Sequence, residues 1–214
     1  ILHAIAAGKT RLNEIKQATG IEGATAYLDT LQQLRLVERI VPVTETQPQK
    51  SRRGTYRLKD HYLRFWFRYV HPNRSQLERG GAQIILQNQV LSEIDHFSSL
   101  TFEEVCQQFF WQAGLSGKLP FVPTNIGNWW NASEEIDLVV LEENDAILVE
   151  CKWTSKPVGI DILAELERKA QLVKPELGDR RIHFALCSRS GFTSQLIEDT
   201  KHRKDLTLLN LPEI

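Results

Sequence analysis

Three charged residues stand inside the two most apolar runs of the C-terminal half. Asp137 lies within Glu135-Ile136-Asp137-Leu138-Val139-Val140, and Glu150 and Lys152 close the run that begins at Ala146-Ile147-Leu148-Val149. A charge in such surroundings is costly to bury unless it is paired or bound to a metal. Both runs have strand composition, and residues two apart on a strand share a face at a separation of roughly 7 Å. Glu150 and Lys152 therefore point one way and Cys151 the other, while Glu135, Asp137 and Val139 share a face of the partner run. Asp137 and Glu150 on adjacent strands would hold a divalent ion, Mg²⁺ or Mn²⁺, through oxygen ligands. Lys152 beside them would stabilise negative charge developing on a phosphate, and the ion would polarise the phosphoryl oxygen. The chemistry expected of the trio is metal-assisted phosphodiester hydrolysis.

Positioning that trio takes a particular set of elements. Glu134–Leu141 and Ala146–Trp153, separated by the turn at 142–145, predict a β-hairpin. Thr101–Ala113 before it reads as a helix with Phe102, Val105, Phe109 and Phe110 inward. After it, Ile160–Val173 is amphipathic through Ile162, Leu163, Leu166, Ala170 and Val173. Lys169 on that helix could contact phosphate, but the more usual place for such a lysine, and the one expected, is the solvated face. A strand at Arg181–Cys187, a helix at Thr193–Lys201 and a strand at Leu206–Leu211 complete an α/β domain with a mixed sheet flanked by helices.

The first 58 residues have a different rhythm. Ile1–Ala7, Arg11–Thr19 and Ala24–Leu34 read as three short helices, the second and third joined by the turn Ile21-Glu22-Gly23 in the manner of a helix-turn-helix. Leu12, Ile15 and Ala18, then Tyr27, Leu28, Leu31 and Leu34, are the predicted core stripes. Strands at Leu36–Val43 and Thr55–Leu58 enclose the loop Thr44–Gly54, so the segment is predicted to be a winged helix whose wing tip carries Lys50, Arg52 and Arg53. The aromatic run Tyr62, Phe65, Trp66, Phe67 and Tyr69 is expected in a core between modules, as are Trp129 and Trp130. Ser75–Phe97 is predicted to be a long connecting helix weakened at Gly80-Gly81. The expected division is 1–70 winged helix, 71–99 helical connector and 100–214 catalytic-type domain.

Charge supports that division. From Ile1 to Gly80 there are 14 Lys plus Arg against 7 Asp plus Glu, a net of +7; the remainder carries −8 in a chain of overall charge −1. A basic module that could meet DNA and an acidic one that could hold cations is the functional reading. Binding by the third helix alone is a poor prospect, since it offers Glu22, Thr25, Asp29, Gln32, Gln33 and Arg35, so the wing would supply most of the affinity.

Other chemistries are excluded or unsupported. Gly8-Lys9-Thr10 lacks the leading glycine of a phosphate-binding loop, with His3 in its place. The six histidines show no ligand spacing. Cys106, Cys151 and Cys187 have no CxxC pairing, which argues against a zinc site or a disulfide scaffold and fits a reducing cytoplasm. No segment reaches the roughly 18 apolar residues of a membrane span. A chain starting at Ile1 is expected to be part of something longer.

Asp137 followed thirteen positions later by Glu150-Cys151-Lys152 resembles the PD-(D/E)xK nucleases, a superfamily that includes restriction enzymes and archaeal Holliday-junction resolvases. Many members carry a glutamate on the preceding helix; Glu103 or Glu104 falls there, Glu103 by its position after Phe102. Ile136 stands where the superfamily's proline is usual. A longer resemblance runs through Asp60–Val70 with Pro72-Asn73, Phe102-Glu103-Glu104-Val105-Cys106, Gly127-Asn128-Trp129-Trp130, Glu135-Ile136-Asp137 and Glu150-Cys151-Lys152-Trp153. These stretches resemble the C-terminal half of the archaeal-type AAA ATPases, in which a winged helix and a restriction-endonuclease-like domain follow the ATP-binding domain. The resemblance implies a cytoplasmic, DNA-directed nuclease module, or a non-catalytic DNA- or protein-binding regulator on a degenerate nuclease fold. It also implies an upstream ATPase domain through which ATP would act, and a homo-oligomer where both strands are cut.

Overall fold

Alternating apolar and polar stretches build the N-terminal part from short elements, and the computed structural model describes all of the chain, Ile1–Ile214. Contacts divide it into two units, residues 1–41 with 45–93, and residues 42–44 with 94–214.

In the first unit, helices α1 (Leu2–Ala6), α2 (Leu12–Thr19) and α3 (Ala24–Gln33) precede the antiparallel strands β1 (Val37–Ile40) and β2 (Thr55–Leu58). Ile5, Ile15, Ala24, Leu28, Val37, Tyr56 and Leu58 form the core. On α3 the inward positions are Ala24, Leu28 and Leu31, at i, i+4 and i+7. Tyr27 and Leu34, predicted inward, share the flank of the helix one step round and are 59% and 61% exposed. Arg35 ends the helix with φ +58°, unusual for a side-chain-bearing residue. The Arg39 guanidinium donates to the Pro48 and Ser51 carbonyls at 2.9 and 2.6 Å, folding the β1–β2 loop back on itself. A Cβ at Gly54 would displace that guanidinium from its place beside the loop.

Helix α4 (His61–Phe65), capped by Asp60 accepting from the Leu63 N–H at 2.8 Å, runs into a wide π-helical turn at Trp66–Val70. Helices α5 (Arg74–Glu78) and α6 (Ala82–Ile85) follow, separated at Gly80, whose φ of +86° supplies the break that Gly80-Gly81 predicts.

The second unit is a mixed α/β fold. Helix α7 (Leu91–Leu115), whose first turn still belongs to the first unit, leads to strands β3 (Asn125–Trp130), β4 (Glu135–Leu141) and β5 (Asp145–Lys152). Then come α8 (Ile160–Leu177), β6 (Arg181–Ser188), α9 (Ser194–Thr200) and β7 (Leu206–Asn210). The five strands lie in chain order, antiparallel from β3 to β5 and parallel from β5 to β7. Two parallel crossovers in one direction put both their helices on one face of the sheet. Leu163, Leu166, Ala170 and Val173 of α8 and Leu196 of α9 accordingly share a core with Val139, Ala146 and Leu148. The other face, with Leu138, Val140, Ile147 and Val149, is covered by Phe102, Cys106 and Phe110 of α7. Trp129 packs inside this unit, in the first of those cores. No helix is long and apolar enough to cross a membrane.

Candidate functional site

β5 is where the sheet changes from antiparallel to parallel, and its last residues carry two of the three charges singled out above. The register pairs Leu138 with Val149, so Asp137 and Glu150 are the next opposed positions, at the point where the β4–β5 ladder ends. Their parity places both on the α8 face, with Val139 and Leu148. The Asp137 carboxylate takes over from the ladder: its Oδ2 accepts from the Cys151 N–H at 2.7 Å. Asn128, at an irregularity in β3, donates from its side chain to the Asp137 carbonyl at 2.6 Å and fixes the backbone from the other side.

Glu150 is only 6% exposed. Its Oε1 accepts from Lys152 Nζ at 2.5 Å and its Oε2 from Lys169 Nζ at 3.3 Å. The expectation of a solvated Lys169 is therefore wrong: it is 8% exposed and points at the sheet. The signal was present, since Leu166, Lys169, Ala170 and Val173 are spaced i, i+3, i+4, i+7 and share the buried stripe of α8.

Burial first, and then the negative charge of Glu150, push the Asp137 carboxyl up to about 7, against the pull of the Cys151 N–H, Lys152 and Lys169. Burial draws Lys152 downward, but the hydrogen bond and charge of Glu150, with Asp137, outweigh it and hold the ammonium above its ordinary range. Two crowded carboxylates, one of them reluctant to ionise, are the donor set a divalent cation relieves. Hard oxygen ligands from Asp137 and Glu150 fit Mg²⁺ or Mn²⁺.

Glu103 comes from α7, whose buried side chains face the opposite side of the sheet. The Phe102 ring lies 5.3 Å from that of Trp153, which puts this part of α7 at the same end of β5 as Glu150 and Lys152. Beyond Lys152, a cavity of about 290 Å³ is lined by Lys152, Thr154, Lys156, Gly159 and Asp161. Lys156 there had not been anticipated. Arg189 also stands at this end of the sheet, 4.7 Å over the Trp153 ring and paired with Asp95 at 2.7 Å.

In the first unit, Lys50 and Arg52 are exposed on the β1–β2 loop, and Arg53 is half-buried and paired with Glu45 at 3.4 Å. Arg52 and Arg39 border an open groove of about 1060 Å³ whose other walls include Arg11, Thr25, Asp29 and Gln32.

Residues 66–171 match the family DUF234, described as archaea bacterial proteins of unknown function. An uncharacterized protein of Methanocaldococcus jannaschii is 36% identical over 195 residues, covering 88% of this chain and 43% of that protein. Among solved structures the chain is similar to protein VC1899 from Vibrio cholerae, at 13% identity and a TM-score of 0.35 over 98% of this chain and 46% of the other. It is also similar to Can2 from Sulfobacillus thermosulfidooxidans, solved in complex with cyclic tetra-adenylate, at 14% identity and a TM-score of 0.31 over 97% and 46%. Scores this low carry no argument about the site. The chain spans less than half the length of each of these three proteins.

Proposed function

We propose that this chain is a Mg²⁺- or Mn²⁺-dependent DNA nuclease module of the PD-(D/E)xK type, joined in the whole protein to an ATPase domain. The observation that carries the reading is the convergence of Asp137, Glu150 and Lys152 at the end of β5, on one face of the sheet. The order helix, antiparallel hairpin, helix, strand suits a restriction-endonuclease-like fold.

In this reading Asp137 and Glu150 hold the cation and Glu103 assists from α7. The cation, when bound, supplies Lewis acidity to the phosphoryl group. Lys152 keeps its proton and places a positive charge where negative charge develops in the transition state. Lys169 is a positioning residue: it holds the second oxygen of Glu150 and so fixes the carboxylate's rotation. Lys156, on the rim of the adjoining cavity, would meet a neighbouring phosphate. The Cys151 N–H orients Asp137 while leaving its other oxygen for the cation.

The three helices and hairpin of the first unit suit a winged helix, with Lys50, Arg52 and Arg53 as the phosphate-contacting wing. Arg53 is the weakest of the three because Glu45 already engages it. ATP would act only through the ATPase domain, and a homo-oligomer would serve double-strand cutting.

A second reading has one observation in its favour. Both oxygens of Glu150 are engaged by lysines, the pattern of a structural ion-pair cluster in a non-catalytic DNA- or protein-binding regulator. Incubating supercoiled, linear and branched DNA with Mg²⁺ or Mn²⁺ separates the two. A nuclease cuts in a metal-dependent way that Asp137→Ala and Lys152→Ala abolish; a regulator leaves every substrate intact while binding persists in both variants.

A further inference from the structure

The three cysteines, unpaired by sequence spacing, are brought together by three elements. Cys106 lies one helical turn after Phe102 and one before Phe110, on the buried stripe of α7. Cys151 takes the face of β5 opposite Glu150 and Lys152, and Cys187 is its registered neighbour on β6. Their sulfurs all lie within 4.8 Å of one another, and the residues are 0, 7 and 0% exposed. None is in a disulfide.

Three sulfurs holding one ion at about 2.3 Å form a triangle with edges of about 4 Å when the ion lies in their plane and about 3.5 Å when a lone pair makes the site pyramidal, so the cluster needs to close by no more than about 1.3 Å. Thiolates select soft ions, whereas Mg²⁺ and Ca²⁺ require oxygen. The surroundings narrow the choice, because Phe102, Phe110, Val149 and Ala185 make this layer apolar and a net charge left in it would be costly. Three thiolates leave a monovalent or divalent ion with an uncompensated negative charge. Around a trivalent ion they leave none.

We propose that Cys106, Cys151 and Cys187 form a three-thiolate site for a soft trivalent ion, of which arsenite is the simplest probe. Arsenous acid enters uncharged. Each thiol gives its proton to one leaving hydroxide and forms one S–As bond, so that As(OH)₃ and three thiols yield As(SR)₃ and three waters, with arsenic trivalent throughout. The site lies on the opposite face of β5 from the carboxylates, so neither occupancy requires the other. Because the sulfurs are buried, entry needs α7 to open locally, and binding is expected to be slow.

The test is native mass spectrometry of the reduced chain after long incubation with arsenite, and again after refolding in its presence so that access does not limit the result. The expected product gains one arsenic atom and loses three hydrogens. Cys106→Ala, Cys151→Ala and Cys187→Ala should each weaken binding by more than about a hundredfold, beyond what loss of an outer-sphere contact costs, with circular dichroism confirming that they fold. The mass of the parent complex decides the matter even for a variant that fails to fold. Absence of arsenic after refolding, loss of fewer than three hydrogens, or undiminished binding by any folded variant would overturn the proposal.

Discussion

Asp137→Asn should flatten the dependence of stability on pH. In the folded chain the Asp137 carboxyl holds its proton up to about pH 7, whereas its ordinary value is 3.8. Between those limits the folded state binds more protons than the unfolded one, so stability falls as pH rises through the window and the loss is complete above it. At about 1.4 kcal/mol per unit, the full interval would amount to roughly 4 kcal/mol. Asp137 is only half-buried by exposure and keeps some solvent contact, so roughly 2 kcal/mol is the more realistic size. Asparagine keeps an oxygen for the Cys151 N–H and carries no charge. Urea unfolding at about pH 5 and about pH 8, with divalent ions chelated, should therefore show the variant gaining on the parent at the higher pH. Glu150→Gln removes the neighbouring charge that helps raise the Asp137 carboxyl and should produce part of the same effect. A parent-minus-variant difference that is the same at both pH values would refute the reasoning, because the histidines and remaining carboxylates contribute equally to both chains.

Other outcomes follow from the same geometry. Lys169→Met should cost about 1–3 kcal/mol in urea unfolding by leaving Glu150 with one partner, and adding Glu150→Gln should recover most of that loss in a double-mutant cycle. Arg35→Gly should raise the unfolding free energy in urea by about 0.5–1 kcal/mol, because glycine adopts the left-handed conformation at no steric cost; an unchanged free energy would mean the side chain compensates. In DNA-binding titrations over a range of salt, Lys50→Ala and Arg52→Ala should each weaken binding on every sequence and lower the salt slope by about 1, as loss of a phosphate contact does.

The hairpin that carries the site was legible because its two apolar runs are long, alternate correctly and flank a polar turn. The strands end within a residue or so of the predicted bounds. β3 was not, since Asn125-Ile126-Gly127-Asn128 has weak strand propensity and its register breaks at Asn128. The predicted break between a connector ending at Phe97 and a helix starting at Thr101 does not occur. Ser98-Ser99-Leu100 contains neither glycine nor proline, and Ser99 turns its hydroxyl back to the His96 carbonyl at 2.7 Å, so α7 continues through it. The strand predicted from Leu36 to Val43 stops at Ile40 because the Val43 N–H goes to the Asn128 carbonyl instead. That Glu150 and Lys152 share a face could be read from parity, and the predicted hairpin set Asp137 on the strand beside them. The cysteine cluster could not: it depends on the β5–β6 register and on which face α7 covers, neither of which any local pattern encodes.

The most direct test of the central claim is cleavage of DNA by the 214-residue chain with Mg²⁺ or Mn²⁺, set beside Asp137→Ala and Lys152→Ala. Cutting that requires the metal and vanishes in both variants, with their fold intact, is the expected result. Cutting that survives either substitution would contradict it, as would intact substrates of every topology with DNA binding unchanged.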